Sequence, residues 1–306
     1  MNILSLINAL PGAAAQGLIW GIMAIGVYLT FRILDVADLT VDGTMCTGGA
    51  VCVMMLMSGH NIWVSMLAAT GAGMLAGLAT GIFHTFMGIP AILAGILTQL
   101  GLYSANLKIM GKANQAVNGN KYNLLVSLRN VKGVPFYQNT ILIVAIFIVV
   151  LIAILYWFFG TELGCSLRST GCNPNMSRAQ GINTNVCKVL GLMISNGLVA
   201  LSSALLAQYQ GFADVNMGRG AIVIGLAAVI IGEAIFGRIF RNFAPRLLSV
   251  AFGSILYYLV LQTVIWLGID TDLLKMLSAL VVAVFLAVPY WKTKYFAKPT
   301  KRGGNN

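Results

Sequence analysis

The sequence has 306 residues, 58% of them hydrophobic and only 9% charged, with a mean hydropathy of +0.87. Soluble domains carry about 25% charged residues, so this composition excludes an ordinary water-soluble enzyme and indicates a polytopic membrane chain. The net charge of +11 would suit a nucleic-acid binder in a soluble protein. Here the basic residues gather at the ends of apolar runs, where they set topology, and no nucleic-acid partner is expected.

A membrane span needs roughly 20 apolar residues, and the chain has room for eight to ten. The N-terminus, MNILSLINALPGAAA, lacks the positive start and the long apolar core of a signal peptide. Gly17–Leu34 reads as the first span and leads into a polar break, DVADLTVDG, at 35–43. Three aspartates beside apolar runs are costly at membrane depth unless they line water or cap a broken helix. Thr44–Met57 and Trp63–Phe86 follow as spans. The second is rich in small residues (Gly71, Gly73, Ala76, Gly77, Ala79, Gly81) that permit close helix approach in lipid. Pro90–Met110 is a further hydrophobic element carrying Gln99 and Asn106, 111–137 is a long loop, and Thr140–Phe159 is the next span. After a polar stretch at 160–188, Val189–Ala207 returns to a second break, GFADVNMGRG, at 211–220. Ala221–Phe236, Leu247–Leu267 and Leu273–Tyr290 complete the spans, and a basic tail occupies 291–306.

The 160–188 stretch contains a short helix with both ends written out. Asn173 can cap it by accepting a free backbone N–H. Pro174 fits the first helical position, and Gly181 supplies the left-handed stop. A helix over Pro174–Gln180 is expected, flanked by Arg168 and Arg178. Lying between two spans, it rests on a membrane face as a docking element for a soluble partner. The 160–188 loop, the 237–246 loop and the tail hold three, three and five of the nineteen Lys and Arg residues. That side is therefore read as cytoplasmic, although the basic 111–137 loop then falls outside against the rule.

The two halves also repeat. A shift of 176 residues brings Gly21 onto Gly197, Ala24 onto Ala200, Leu29 onto Leu205 and Ala37–Asp38 onto Ala213–Asp214. With one inserted residue, Gly43 meets Gly220. Paired breaks of this kind are used by transporters around a midplane pathway. The candidate pathway residues are Asp38, Thr40 and Asp42 from the first break and Asp214 and Asn216 from the second. Asn106 and Glu233, polar positions inside apolar segments, join them. Asp38 and Asp214 have an alternative reading as caps of the helices that follow, and Glu233 as an ion-pair partner of Arg238. The five cysteines (Cys46, Cys52, Cys165, Cys172, Cys187) have no metal-ligand spacing and read as small apolar filler, with no metal expected. His60 and His84 read as helix-end hydrogen bonders. No catalytic constellation and no GxxxxGK[ST] loop occurs, so neither an enzyme nor an ATP site is expected in this chain.

The stretch LRSTGCNPNMSRAQGIN resembles the coupling-loop signature of ABC-importer permeases of the branched-chain amino acid, ribose and nucleoside type. Leu167, Arg168, Gly171, Asn173, Gly181, Ile182 and Asn183 match the pattern. Cys172 stands where an acidic residue is usual, and Ser177 where an alanine is. VADLTVDG and LKIMGKAN resemble a subgroup thought to import aromatic amino acids. The resemblance implies an all-α polytopic membrane protein of about eight to ten transmembrane helices, in two inverted repeats (about 13–137 and 189–290) with broken helices and a cytoplasmic coupling helix. It further implies a single permease domain in a bacterial inner membrane, with a cytoplasmic tail, that moves an amino acid or similar small solute. Its partners would be an ABC ATPase that binds the ATP and Mg, an extracytoplasmic binding protein, and a second permease copy. Arg168, Gly171, Asn173, Pro174, Arg178 and Gly181 would form the ATPase coupling element. Nucleosides or sugars are the alternative cargo. An ion-coupled secondary transporter using Asp38, Asp42 and Glu233 is the alternative class.

Overall fold

The computed structural model describes residues 3–268, apart from 118, 120, 121, 123, 132–138, 238 and 241, together with isolated residues between 273 and 287. Most of the expected last span, the tail, Arg238 and Arg241 therefore lie outside the described residues. Ten α-helices are resolved among them. In chain order these are α1 (Ile3–Tyr28), α2 (Thr40–Met57), α3 (Ile62–Thr85), α4 (Ala91–Met110), α5 (Thr140–Gly160), α6 (Glu162–Cys172), α7 (Pro174–Ala179), α8 (Thr184–Gln210), α9 (Ala221–Phe236) and α10 (Phe243–Trp266). Seven stretches are long and apolar enough to cross a membrane, and α9 is a shorter apolar helix.

α1, α2 and α8 are the most buried spans, while α3, α4, α5 and α10 lie around them with much of their apolar surface facing outward. In lipid, helices associate through close packing of small residues. α3 shows why: Gly73, Gly77 and Gly81, spaced by four, lie against Asn196, Leu192 and Val189 of α8, where a side chain would collide. Gly71, off that stripe, faces open space. Every expected span up to Leu267 is present, with ends shifted where a polar turn still packs. α8 starts at Thr184 because Asn183 accepts the N–H groups of Asn185 and Val186 at 3.1 and 3.2 Å.

α1 and α8 run in opposite directions, and their contacts are reciprocal. Ser195 Oγ donates to the Gly26 carbonyl at 2.7 Å, and Ser202 Oγ donates to the Ile19 carbonyl at 2.7 Å. Position 195 is 19 moved by 176, and 202 is 26 moved by 176, so each contact maps onto the other under the sequence shift. Likewise α3 packs along α8 as α10 packs along α1.

Two features have no counterpart in the sequence reading. α6, capped by Thr161 Oγ1 on the Gly164 N–H at 3.3 Å, fills the first part of the coupling stretch. A two-stranded antiparallel ladder pairs β1 (Asn114–Ala116) with β2 (Phe212–Asp214), with Asn114 opposite Asp214. It joins the loops after α4 and α8 at the end of the bundle away from α7.

Candidate functional site

The first polar break begins where α1 passes into a π-helical turn, Leu29–Ile33. Asp35 then reverses the chain with a φ of 54°, which a short polar side chain tolerates. Extended residues carry the backbone back to the start of α2. Asp38 is buried there, and one carboxylate oxygen accepts the Thr40 N–H at 2.9 Å, satisfying a first-turn donor of α2. Its other oxygen accepts Asn196 Nδ2 of α8 at 2.7 Å, while Asn196 Oδ1 accepts the Thr44 hydroxyl at 2.7 Å. Thr40 is buried in a hydroxyl chain with Thr80 at 2.6 Å and on to Thr98 at 2.9 Å, which ties α2, α3 and α4 together. Asp38 and Thr40 thus sit behind the site as framework.

Asp42 is different. Its Oδ2 accepts the Gly220 N–H at 2.9 Å and its Oδ1 the Ile222 N–H at 3.0 Å, so it holds the first turn of α9. A helix start carries about half a positive charge, which leaves about half of the carboxylate charge unneutralised. Asp42 lines a cleft of about 250 Å³ with Gly43, Cys46, Gln99, Leu100, Tyr103, Asn106, Val215 and Arg219. Asn106 is fully buried and directs Nδ2 at the Gly43 carbonyl at 3.5 Å. Its Oδ1 has no partner among the described residues.

Asp214 lies on β2 beside this cleft and does not cap α9. It accepts the Asn216 N–H at 2.7 Å and Asn114 Nδ2 at 3.2 Å, and so closes its own turn. Asn216 is exposed outside the cleft lining. Glu233 is remote from both. It ends α9 at the coupling end, where Arg32 Nε donates to its Oε1 at 3.0 Å. Arg238, the partner read for Glu233 in the sequence, lies outside the described residues. A second, larger cleft of about 750 Å³ lies there, with Arg32, Glu233, Arg168, Cys172, Phe243 and Arg246 in its walls.

The stretch around α7 is built as its residues dictate. Asn173 Oδ1 accepts the N–H groups of Asn175 and Met176 at 3.1 and 3.0 Å, Pro174 opens α7, and Gly181 adopts a φ of +82°. α7 ends at Ala179 with Gln180 as its C-cap, one residue short of the expected bound. Every α7 residue except Ser177 is exposed, Met176 and Arg178 included. Arg178 Nε donates to Thr184 Oγ1 at 2.8 Å. Arg168 is committed elsewhere: its Nη2 donates to the Phe159 carbonyl at 2.9 Å and closes the end of α5. Gly171 packs on the Ile33 carbonyl so closely that a methyl group would collide, and Gly191 packs on Leu34. α6 therefore rests on the junction between α1 and the first break.

Cys46, Cys52 and Cys187 are buried as small filler, but Cys165 and Cys172 are exposed on the coupling face, contrary to the filler reading. His84, in the last turn of α3, bonds through Nδ1 to the Ile89 carbonyl in the turn before α4 at 2.9 Å. Sequence reasoning missed Arg219 and Tyr103 of the cleft and Arg32 of the ion pair. Arg219 stands in plain view inside the second break, but nothing local fixes the direction in which it points.

Residues 10–288 match the family described as the branched-chain amino acid transport system / permease component. The chain belongs to this permease family. Such permeases are membrane-embedded transport subunits of ABC importers and are not themselves enzymes. The tyrosine transport system permease protein of Clostridioides difficile is 39% identical over 89% of this permease and 88% of that protein. The fructose import permease protein FruF of Bifidobacterium longum is 27% identical over 87% and 73%. Among solved structures, PsaBC from Streptococcus pneumoniae in complex with Fab matches with a TM-score of 0.55 at 16% identity. That match covers 96% of this permease and 99% of that chain, a likeness of fold.

Proposed function

We propose that this permease forms the pathway of an ATP-driven importer for an amino acid in a bacterial inner membrane, with α7 as the ATPase contact. The observation that carries the reading is α7 itself: a capped helix, exposed on all residues but Ser177, whose neighbour α6 rests on the end of α1. Among the described residues nothing covers the outer face of α7. A partner pressing on it would act on α1 and α8 through Gly171, Gly191 and Thr184.

Two permease copies would enclose the path, and two ATPase subunits carrying ATP and Mg would grip the coupling helices. A binding protein would dock at the opposite end. The reciprocal α1–α8 contacts support two halves related by an inverted repeat. α10 ends at the far side from α7, so one more crossing over 273–290 would return the tail to the coupling, cytoplasmic side. Substrate would pass the Asp42–Asn106 cleft, and the tyrosine permease relative supports an aromatic amino acid as cargo. The fructose permease relative supports a sugar as the second reading. Asp38 and Asp42 are engaged in helix capping and Glu233 in an ion pair, which removes the motive for an ion-coupled carrier.

Reconstitution in proteoliposomes tests the reading. The permease alone should move no labelled tyrosine under any proton or sodium gradient. Addition of ATPase, binding protein and ATP should start uptake, and a non-hydrolysable ATP analogue should not sustain it. Gradient-driven uptake by the isolated chain would overturn the proposal.

A further inference from the structure

We infer that the cleft between α2, α4 and the 215–219 turn is a subsite for a zwitterionic amino acid, with Arg219 taking the carboxylate and Asn106 Oδ1 the ammonium group. The inference rests on the amino-acid reading above and deepens it by naming the recognising groups.

Asn106 supplies the first half of the argument. The Gly43 carbonyl can only accept, so the amide group facing it must be the NH₂. That fixes the flip of the side chain and leaves Oδ1 as a buried acceptor with no partner among the described residues. Native proteins satisfy roughly 90% or more of such buried groups, and an alkylammonium, with three donors and no acceptor, fits an orphaned carbonyl oxygen.

Arg219 supplies the second. It is exposed in the cleft wall and makes no ion pair and no side-chain hydrogen bond among the described residues. A guanidinium within a membrane-embedded bundle is expensive unless it meets water or a partner, and its planar fork matches a carboxylate.

The repeat shows why Arg219 is free. With the inserted residue that aligns Gly43 with Gly220, Asp42 aligns with Arg219. Asp42 holds the start of α9. Arg219 cannot return the favour at the start of α2, because it has no acceptor and the helix start is itself positive. Asp38 performs that task instead.

Size and walls agree with this assignment. A cleft of about 250 Å³ has room for an amino acid. Leu100 and Tyr103 offer an apolar and aromatic surface for its side chain. A neutral sugar would leave the Arg219 charge unmatched.

Competition binding to the permease–ATPase complex in nanodiscs tests the inference. Tritiated tyrosine is displaced by tyrosine, by tyramine (no carboxylate) or by 3-(4-hydroxyphenyl)propionate (no ammonium). R219Q should weaken tyrosine and the propionate by about tenfold or more, as befits a lost charged hydrogen bond, and leave tyramine within about twofold. R219K should recover part of the loss. N106L should weaken tyrosine and tyramine and spare the propionate. Equal effects on all three ligands, no effect, or no tyrosine binding by the parent complex would overturn the subsite. ATP-driven tyrosine uptake by the full parent system, measured in parallel, separates the two readings: uptake with the wrong binding pattern sinks the subsite alone, and absent uptake sinks the amino-acid reading beneath it.

Discussion

Asp42 of α2 accepts the backbone N–H of Gly220 at 2.9 Å, so a residue of the first half fixes where a helix of the second half begins. The same carboxylate lines the central cleft. Helix capping, read in the sequence for Asp38 and Asp214, and cleft lining are both properties of the Asp42 side chain.

Asp42→Asn should therefore affect both. An amide keeps one acceptor oxygen and turns donors toward a backbone N–H, and loss of a cap costs about 1 kcal/mol. The melting temperature of the purified permease should fall by a few degrees, and ATP-driven uptake should fall about tenfold while ATPase association persists. Uptake at the parental rate would remove Asp42 from the path.

Asp38 should behave differently, because it is buried and joins α2 to α8 through Asn196. Asp38→Asn turns an NH₂ toward another NH₂ and leaves buried donors unpaired, at about 1–3 kcal/mol. Reduced yield of folded permease is expected, not a pure transport defect. Exchanging the pair, Asp38→Asn with Asn196→Asp, restores a donor–acceptor match and should recover part of the folded yield in size-exclusion profiles. A double variant no better than the single one would show that the pair is not the cause.

At the coupling face, two substitutions probe two steps of one path. Arg178→Glu reverses the exposed charge of α7 and should reduce co-purification of the ATPase. Gly171→Ala places a methyl group against the Ile33 carbonyl, an overpacking worth about 1–3 kcal/mol, and should shift α6 off the end of α1. ATPase binding should survive there while hydrolysis no longer drives uptake. Normal coupling in Gly171→Ala would show that α6 does not transmit motion.

The cysteines give a direct reading of orientation. Cys165 and Cys172 are exposed on the coupling face, whereas Cys46, Cys52 and Cys187 are buried. A membrane-impermeant maleimide should label the first two in inside-out vesicles and not in intact cells with the outer face accessible. Bound ATPase should protect them. Labelling from the outer face would reverse the topology.

What the sequence made legible was local. Asn173, Pro174 and Gly181 each act in α7 as their chemistry requires, and long apolar runs marked the spans. α6 escaped because SLRSTGC offers one buried apolar side chain, Leu167, and its other buried positions are Gly164 and Thr170, too little for a periodic signal. The β1–β2 ladder escaped because three-residue strands about a hundred positions apart carry no local pattern. Glu233 reads with the pathway residues in the sequence because polarity inside an apolar segment does not tell depth. Its distance from Asp42 is set by the length of α9, which runs from the cleft to the coupling end.

The ladder bears on how the bundle can move. It fastens the loop after α4 to the loop after α8 at one end, while the exposed coupling helix sits at the other, next to the start of α8. α8 has 27 residues and is about 40 Å long at 1.5 Å per residue. A rod clasped at one tip and pushed at the other swings about the clasp, with travel growing in proportion to distance from it. Under a push from a partner on α7, that end would make the widest arc, the Asn196–Asp38 joint near mid-length a smaller one, and the ladder would stay nearly still as the fulcrum.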